Sequence, residues 1–360
     1  MSNKITRRDI LGASAAVVGA GLLVRQAQAQ AQQVVVCGWG GSLLSAQRAH
    51  YFEPFEKQSG VRVVPTGEPS VARIKAMVEA GNVEWDVVQV SLPEMITLQR
   101  ANLLEPIDYS GFQKQELDGL LPAVVKSHGV GTMVVAQAIT FNTKAFSVGN
   151  RPTSWADAWN VQRFPGPRCF TAMDAGARPL EIPLLADGVS PQKLYPLDVD
   201  RAFKALDRIR PHVVKWGARG VNPAELIASG DAAIGNVAIG RAISMKAEGA
   251  PLDFDFNQAL QFPDLWVIPR GSKNAKSAQR FIQFASGARA QAAFSASYPA
   301  GPVNRGAFAH LTPQQAALLS TAPGVVEKTV VVDADWWNAV DSAGKSNVDK
   351  VAERWRKWVL

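Results

Sequence analysis

The sequence has little cysteine and little histidine, and this limits the chemistry that the chain can carry. Only two cysteines and four histidines occur among 360 residues. The histidines show neither a His-Glu-x-x-His pattern nor another metal-ligand spacing, and no Gly-x-Ser-x-Gly nucleophile motif is present. These absences argue against a metalloenzyme or a serine hydrolase, and we expect neither a metal site nor a cofactor.

A long hydrophobic run and a strong excess of one charge are also missing beyond the first 31 residues. No later segment is continuously apolar over the length of about 20 residues that a membrane-spanning helix needs. Lysine and arginine total 38 against 31 acidic residues, and they are scattered rather than grouped in a basic stripe. We therefore expect a soluble mature protein that does not bind nucleic acid.

The first 31 residues have the features of an export signal. Residues 6–11 read Thr-Arg-Arg-Asp-Ile-Leu, a twin-arginine pattern, and small apolar residues continue to position 24. Two Ala-x-Ala sites end at Ala29 and Ala31. We predict a twin-arginine signal peptide over residues 1–31, cleaved near Ala29 or Ala31, and a periplasmic protein. An uncleaved N-terminal membrane anchor is the alternative.

The two cysteines, Cys37 and Cys169, both lie in strand-like runs far apart in the sequence. The periplasm permits a disulfide, but this separation favours two small buried thiols.

Strand-like and helix-like patterns alternate along the mature chain. The predicted strands include 34–37, 61–64 and an apolar run that ends at Ser91, and the predicted helices include 42–59 with an interruption near Pro54, 70–80, 275–295 and 333–360. Alternation of this kind is typical of an α/β protein with a mostly parallel sheet covered by helices on both faces.

A Gly-Trp-Gly-Gly-Ser sequence at residues 38–42 separates the first strand from the first helix. It is not a dinucleotide motif, because the third glycine would have to stand at Leu43, and no lysine follows to make a P-loop. We interpret it as a tight turn in which Ser42 caps the helix and Trp39 lies at the tip, and we expect both residues to bind a ligand. Ligands bind at such carboxyl ends of strands, whereas a merely packed Trp39 is the alternative.

Several stretches, in their order along the chain, are typical of one family. They are GWGGS at 38–42, FEPFEKQSGVRVV at 52–64, WDVVQVS at 85–91, TSWADAW at 153–159, ASGDAAIG at 228–235 and the run from WVIP to PVN at 266–304. Together they resemble the extracytoplasmic solute-binding proteins of ABC importers, and in particular the spermidine/putrescine-binding branch. The resemblance covers essentially the whole mature chain.

This resemblance implies a type II periplasmic-binding-protein fold, in which two α/β lobes, each with a mainly parallel sheet flanked by helices, enclose a ligand cleft. It places lobe 1 at residues 32–137 plus 265–308 and lobe 2 at residues 138–264 plus 309–360. It also implies a monomer that is not an enzyme, and whose partners are a small-molecule ligand and an ABC permease in the inner membrane. A binding protein that serves a sensor, or an exported enzyme, is the alternative.

The family's ligand-binding residues can be carried over by position. Trp39 matches an aromatic residue that stacks on the ligand, Ser91 a serine at the end of the third strand, and Asp264 an acid that pairs with a ligand amine. Tyr298 matches a cleft tyrosine, and Trp337 stands where polyamine binders have a glutamine. The alternatives are a surface-loop acid for Asp264 and core packing for Tyr298 and Trp337.

The sequence also departs from the polyamine-binding pattern. Ala238 replaces a stacking tryptophan, Arg241 replaces a small residue, and Asp174 stands near the family's second acidic site. An arginine that faces the cleft would repel a diamine but would pair with a carboxylate, whereas a solvated Arg241 would do neither. We therefore expect an amine-bearing solute, and we leave open whether it is an amino-carboxylate, an opine-like compound or a polyamine.

Overall fold

The computed structural model describes residues 32–172, 180–217 and 223–360. The predicted signal peptide and Asp174 lie outside these residues. Within them, ten strands form one sheet. The strands are β1 (Gln33–Cys37), β2 (Arg62–Thr66), β3 (Val87–Ser91), β4 (Val125–Lys126), β5 (Gly129–Asn142), β6 (Arg168–Thr171), β7 (Val213–Gly217), β8 (Ile234–Ala238), β9 (Leu252–Val267) and β10 (Val330–Val331).

Helices connect and cover these strands. The α-helices of the described residues are α1 (Gly41–Gln47), α2 (Glu53–Ser59), α3 (Val71–Glu79), α4 (Leu92–Arg100), α5 (Lys114–Gly119), α6 (Trp155–Trp159), α7 (Glu181–Ala186), α8 (Val199–Ile209), α9 (Pro223–Ser229), α10 (Ile239–Ala247), α11 (Ala275–Ala285), α12 (Ala288–Ser297), α13 (Pro313–Ala316), α14 (Ala334–Asn338) and α15 (Asn347–Val359). The alternation expected of an α/β protein is therefore confirmed.

The sheet is parallel towards its two ends and antiparallel in its centre. Its order is β2-β1-β3-β9-β5-β8-β6-β7, with β10 beside β9 and β4 beside β5. Strand β1 is parallel to β2 and β3, and β6 is parallel to β7 and β8. Strand β9 is antiparallel to both β3 and β5, and β5 is antiparallel to β8. The expected parallel sheet is thus present in each half, joined by antiparallel strands that the sequence pattern did not predict.

Two long strands carry the sheet from one half of the molecule to the other. Strand β5 has 14 residues and β9 has 16, so each extends over roughly 50 Å at about 3.3 Å per residue. Large apolar clusters lie on either side of this crossing: one includes Phe281 and Trp266 with Phe55 packed edge-on, and another includes Trp155 and Trp355. The two-lobed architecture expected from the sequence is confirmed, while the lobe boundaries remain predictions.

The helical region after β1 is continuous rather than interrupted at Pro54. A π-helical segment, Arg48–Phe52, joins α1 to α2, and Pro54 lies in the first turn of α2. Proline has no N–H to bond to the preceding turn, and the widened turn directly before it accommodates that missing bond. The helix ends at Gly60, whose φ of 71° is left-handed and favours glycine.

Two predicted long helices are each divided in two. Gly287 separates α11 from α12, and an eight-residue loop that contains Gly344 separates α14 from α15. Helix α15 starts afresh at Ser346, whose side chain accepts a hydrogen bond from the Asp349 N–H. The apolar periodicity continues across both breaks, which is why it did not reveal them.

The two cysteines are buried, as expected, and they lie in different apolar clusters. Burial raises the pKa of the Cys37 thiol to about 12 and that of Cys169 to about 11. Among the described helices, none combines the length and the apolar character that crossing a bilayer would require.

Candidate functional site

Asp264 lies in the central strand β9, beside the carboxyl end of β3. In the antiparallel register of β9, it lies opposite Ser91, the last residue of β3, and on its other side it lies opposite Met133 of β5. It is partly buried. The alternative that Asp264 is a surface-loop acid is therefore wrong, since the Phe-Pro-Asp sequence that suggested a turn lies within a strand.

The surroundings of Asp264 disfavour its ionised form. Burial raises the pKa of its carboxyl group to about 7, the negative charge of Glu94 acts in the same direction, and a hydrogen bond from Gln89 opposes them. Gln89 Nε2 donates to Asp264 Oδ2 at 2.9 Å. In the part of the chain that the structure describes, no lysine or arginine forms an ion pair with Asp264. A ligand cation placed here would supply the missing counter-charge.

Tyr298 lies close enough to Asp264 for the charge of that carboxylate to affect its phenol. It caps the end of α12, its ring lies 5.6 Å from that of Phe294, and it is partly buried. Burial and, second, the charge of Asp264 raise the pKa of its phenol. A Cβ atom added to Gly240 would lie 3.6 Å from the carbonyl oxygen of Pro299, so the start of α10 approaches the residue that follows Tyr298.

Trp39 follows β1 at the same edge of the sheet. It is 36% exposed, the largest aromatic surface that the described residues present to solvent. The preceding Gly38 packs against two buried amides, because a Cβ there would lie 3.3 Å from Gln47 Oε1 and 3.6 Å from Gln89 Oε1. Trp39 is thus joined through one residue to the side chain that holds Asp264, and its stacking role stays a prediction.

Ser42 does not cap the first helix, and that prediction is wrong. The N-cap of α1 is Gly40, which has no side chain to bond the free N–H groups, and Ser42 lies exposed inside the first turn. The cap therefore lies two residues before Ser42, and Gly41 at the start of the helix has a left-handed φ of 66° that favours glycine. A ligand-binding role for Ser42 remains a prediction.

Ser91 has a structural role that the sequence reading did not assign to it. Its N–H donates to Glu94 Oε2 at 2.8 Å, which is one half of a capping box at the start of α4, and its hydroxyl donates to the same oxygen at 2.7 Å. It lies opposite Asp264 in the sheet, and its ligand-binding role remains a prediction.

Trp337 is a core residue. It has no exposed surface, and its indole N–H donates to Glu181 Oε1 at 2.8 Å. A side chain without accessible surface offers no face on which a ligand could stack, so the structure contradicts the binding role and supports the alternative of core packing. The family position that a glutamine occupies in polyamine binders is here part of the apolar interior.

Arg241 lies in the first turn of α10, directly after Gly240. Its side chain is 46% exposed, and it forms an ion pair with Glu225 at 3.3 Å. Exposed pairs of this kind contribute at most about 1 kcal/mol, so Arg241 can exchange this partner for another anion at little cost. Its role in carboxylate binding therefore stays a prediction.

Two functional candidates were missed by the sequence reading, namely Gln47 and Gln89. Both are fully buried, and Gln47 Nε2 donates to Gln89 Oε1 at 2.7 Å. The indication in the sequence was the single polar residue inside the otherwise apolar Val-Val-Gln-Val of β3. Buried amides require partners, and a polar residue in such a strand points to a polar neighbour across the sheet.

Comparison with known proteins agrees with this geometry. A profile of the family described as bacterial extracellular solute-binding protein matches residues 50–321. The γ-aminobutyric acid-binding protein of Pseudomonas aeruginosa is 37% identical over 86% of this chain and 88% of its own. The spermidine/putrescine-binding periplasmic protein 1 of Haemophilus influenzae is 27% identical over 65% of this chain and 66% of its own.

Solved structures show the same relationship. An ABC transporter substrate-binding protein from Bradyrhizobium japonicum superposes with a TM-score of 0.82 at 29% identity, covering 91% of this chain and 100% of its own. A structure described as a GABA receptor superposes with a TM-score of 0.78 at 34% identity, covering 91% of this chain and 98% of its own. The resemblance inferred from the sequence motifs is thus confirmed, and the chain belongs to the bacterial extracellular solute-binding protein family.

Proposed function

We propose that this chain is the substrate-binding component of an ABC importer, which captures a small amine-bearing solute between its lobes and delivers it to a permease in the inner membrane. The observation that carries the proposal is Asp264, a partly buried carboxylate at the carboxyl end of β3 with a pKa of about 7. An ammonium group would offset the lost hydration of this carboxylate, and Trp39 would cover the cation with an aromatic face.

We propose further that the solute carries a carboxylate as well as an amine. Along β5, Met133 lies opposite Asp264 and Gln137 lies opposite Ala238, just before α10. Four residues of strand extend about 13 Å, a span that the side chains of Asp264 and Arg241 could bridge around a short amino-carboxylate. The γ-aminobutyric acid-binding relative supports this class, while the spermidine/putrescine-binding relative keeps a polyamine as the alternative.

Arg241 is the residue that decides between these classes. A ligand carboxylate enclosed by the closing lobes without Arg241 would leave a buried charge unpaired, which costs roughly 3–5 kcal/mol. A diamine would instead bring a second positive charge close to the guanidinium group. The loss of the stacking ring at Ala238 also removes a feature that polyamine binders use.

Calorimetric titration tests the ligand class. γ-Aminobutyrate should bind the mature protein, whereas putrescine and spermidine should bind weakly or not at all. Three variants should each weaken γ-aminobutyrate binding by about 2 kcal/mol or more, namely Trp39→Ala, Asp264→Ala and Arg241→Ala. Arg73→Ala is the matched control, because Arg73 forms a similarly exposed ion pair with Glu84 at 3.0 Å. Submicromolar spermidine binding that survives Arg241→Ala would restore the polyamine assignment.

The proposal also includes the mode of action. The mature protein is a periplasmic monomer that closes by a hinge movement of its lobes and releases its ligand unchanged. Small-angle scattering should show compaction at saturating ligand, and NMR of the recovered solute should show no conversion. An unchanged scattering envelope would contradict closure, and a converted solute would favour the exported-enzyme alternative.

A further inference from the structure

Gln47 and Gln89 form a buried amide pair behind the proposed amine site, and we infer that the two are positioning residues that orient the carboxylate of Asp264 for ligand capture. This inference rests on the proposed function. It concerns residues that do not touch the ligand and act through Asp264 and through the loop that carries Trp39.

The hydrogen bonds of the pair have one possible direction when Asp264 is ionised. A carboxylate can only accept, so Gln89 must present its NH₂ group to Asp264 Oδ2, at 2.9 Å. Gln89 Oε1 then accepts from Gln47 Nε2, at 2.7 Å. Because Oδ2 is held in this way, Oδ1 is the oxygen that remains for an N–H group of a ligand.

The pair also supports the turn that carries Trp39. It connects α1, β3 and β9, and the backbone of Gly38 rests on both amides, with Gln47 Oε1 nearest. A methyl group at position 38 would lie 3.3 Å from that oxygen, a contact tight enough to require a small shift of the Gln47 amide. The aromatic residue and the carboxylate proposed to hold the amine are thus fixed by the same two side chains.

Stability alone does not explain this arrangement. Gln47 Oε1 is a buried acceptor with no hydrogen-bond partner in the described part of the chain. An unsatisfied buried acceptor is unfavourable, and an apolar pair of similar volume would avoid it. In this arrangement Gln89 donates a hydrogen bond to Asp264, while Gln47 Oε1 is left without a donor among the described residues.

The donor matters because burial and the negative charge of Glu94 oppose the ionisation of Asp264. Glu94 lies on α4, and Tyr298 at the end of α12 is a partly buried phenol whose pKa is raised first by burial and then by the charge of Asp264. Gln89 is the neighbour that favours the ionised carboxylate. Without it, Asp264 would become protonated at a higher pH and would lose its attraction for an ammonium group.

The test is a pH series of calorimetric titrations from pH 6 to pH 9, with γ-aminobutyrate and putrescine as probes. In the wild type, affinity should fall below pH 7 as Asp264 is protonated. In Gln89→Met, the midpoint of this fall should move to higher pH, affinity at pH 7 should drop by about tenfold or more, and part of it should return at pH 9. Gln58→Met, on the exposed face of α2, is the matched control and should behave as the wild type.

A second variant separates positioning from loss of the fold. Gln47→Leu with Gln89→Leu replaces both members of the pair by apolar groups, which need no partners, and it should fold while showing the same pH shift. An unshifted midpoint in both variants, or a loss of affinity that is equal at every pH, would overturn the inference and leave the proposed function standing. If the wild type binds neither probe, the proposed function fails first and the inference fails with it.

Discussion

Replacing Asp264 by asparagine should stabilise the unliganded protein, and the gain should depend on pH. Asparagine has the shape of the neutral carboxyl group, and its carbonyl oxygen can still accept the hydrogen bond from Gln89. The substitution removes the carboxyl group of Asp264, whose ionised form is disfavoured by burial. The stabilisation therefore measures the free energy by which the fold opposes the charge of Asp264.

The sign and the pH window follow from the pKa. Burial raises the pKa of Asp264 from 3.8 to about 7. Between these pH values Asp264 binds more protons in the native state than in the unfolded state. Its contribution to the free energy of unfolding therefore falls as pH rises from about 4 to about 7 and is constant above that range. A rise of this size corresponds to about 4 kcal/mol at 1.36 kcal/mol per pH unit, and this is an upper value because Asp264 is only partly buried.

Urea unfolding of the wild type and Asp264→Asn at pH 4, 5.5, 7 and 8.5 provides the measurement. The difference in unfolding free energy between the two proteins cancels the other titrating groups. It should be smallest at pH 4, should grow through pH 7, and should level off at up to about 4 kcal/mol. A difference that does not vary with pH would show that Asp264 is ionised as easily in the native protein as in the unfolded chain. The physical basis of the proposed amine site would then be refuted.

Three further variants test the packing that positions the site, each by urea unfolding at pH 7. Arg168→Met should destabilise by about 3 kcal/mol or more, since the buried guanidinium donates to the carbonyl oxygens of Ala158, Gly166 and Phe164; a loss below 1 kcal/mol would contradict this role. Gly235→Ala should cost about 3 kcal/mol because its Cβ would lie 2.1 Å from the Cys169 carbonyl oxygen, whereas Gly149→Ala, with nothing within 4 Å, should be neutral. Ser346→Ala should cost about 1 kcal/mol by removing the N-cap of α15, and an unchanged midpoint would mean that this cap adds nothing.

The elements that the sequence predicted well are those whose residues interact locally. The strand at Gln33–Cys37, the helix at Val71–Glu79 and the strand that ends at Ser91 have clear apolar patterns. Glycine or serine lies at a boundary of each: Gly38 follows the first strand, Ser70 precedes the helix, and Ser91 ends the other strand. Such patterns are set by neighbours one turn or two residues away. The same locality explains why the divided helices around Gly287 and Gly344 were missed, because apolar spacing continued across both breaks.

The centre of the sheet could not be predicted in this way. Strand β9 contains Pro263 and Asp264, residues that favour turns in isolation, yet both lie within a 16-residue strand. Contacts with β3 and β5, from sequence positions more than 100 residues away, hold this segment extended. Tertiary pairing thus overrides the local preference, and it does so at the position where the candidate site lies.

The residues of the candidate site also differ in whether local sequence or distant contacts identify them. Trp39 and Asp264 were predicted from family positions and strand ends, and their roles remain predictions. Trp337 was assigned to the cleft, but it is buried in the core, because sequence alone does not distinguish a cleft tryptophan from a core tryptophan. Gln47 and Gln89 were missed because their partner is visible only across the sheet. A residue that acts through another residue leaves no motif of its own, so its detection needs the contact.

If Asp264 binds the ligand amine as proposed, stability and ligand capture are coupled through this single carboxylate. The fold holds Asp264 where its charge is disfavoured, and a bound ammonium group would remove that penalty. A ligand that binds only the native state stabilises it by RT ln(1 + [L]/Kd), which reaches about 2.7 kcal/mol at a hundredfold excess over Kd. If the amine supplies the counter-charge, ligand stabilisation should be large at pH 8 and small in Asp264→Asn, which has no charge to neutralise. The variant that is more stable without ligand should therefore gain less from it, as expected when binding energy comes from relieving an unfavourable charge.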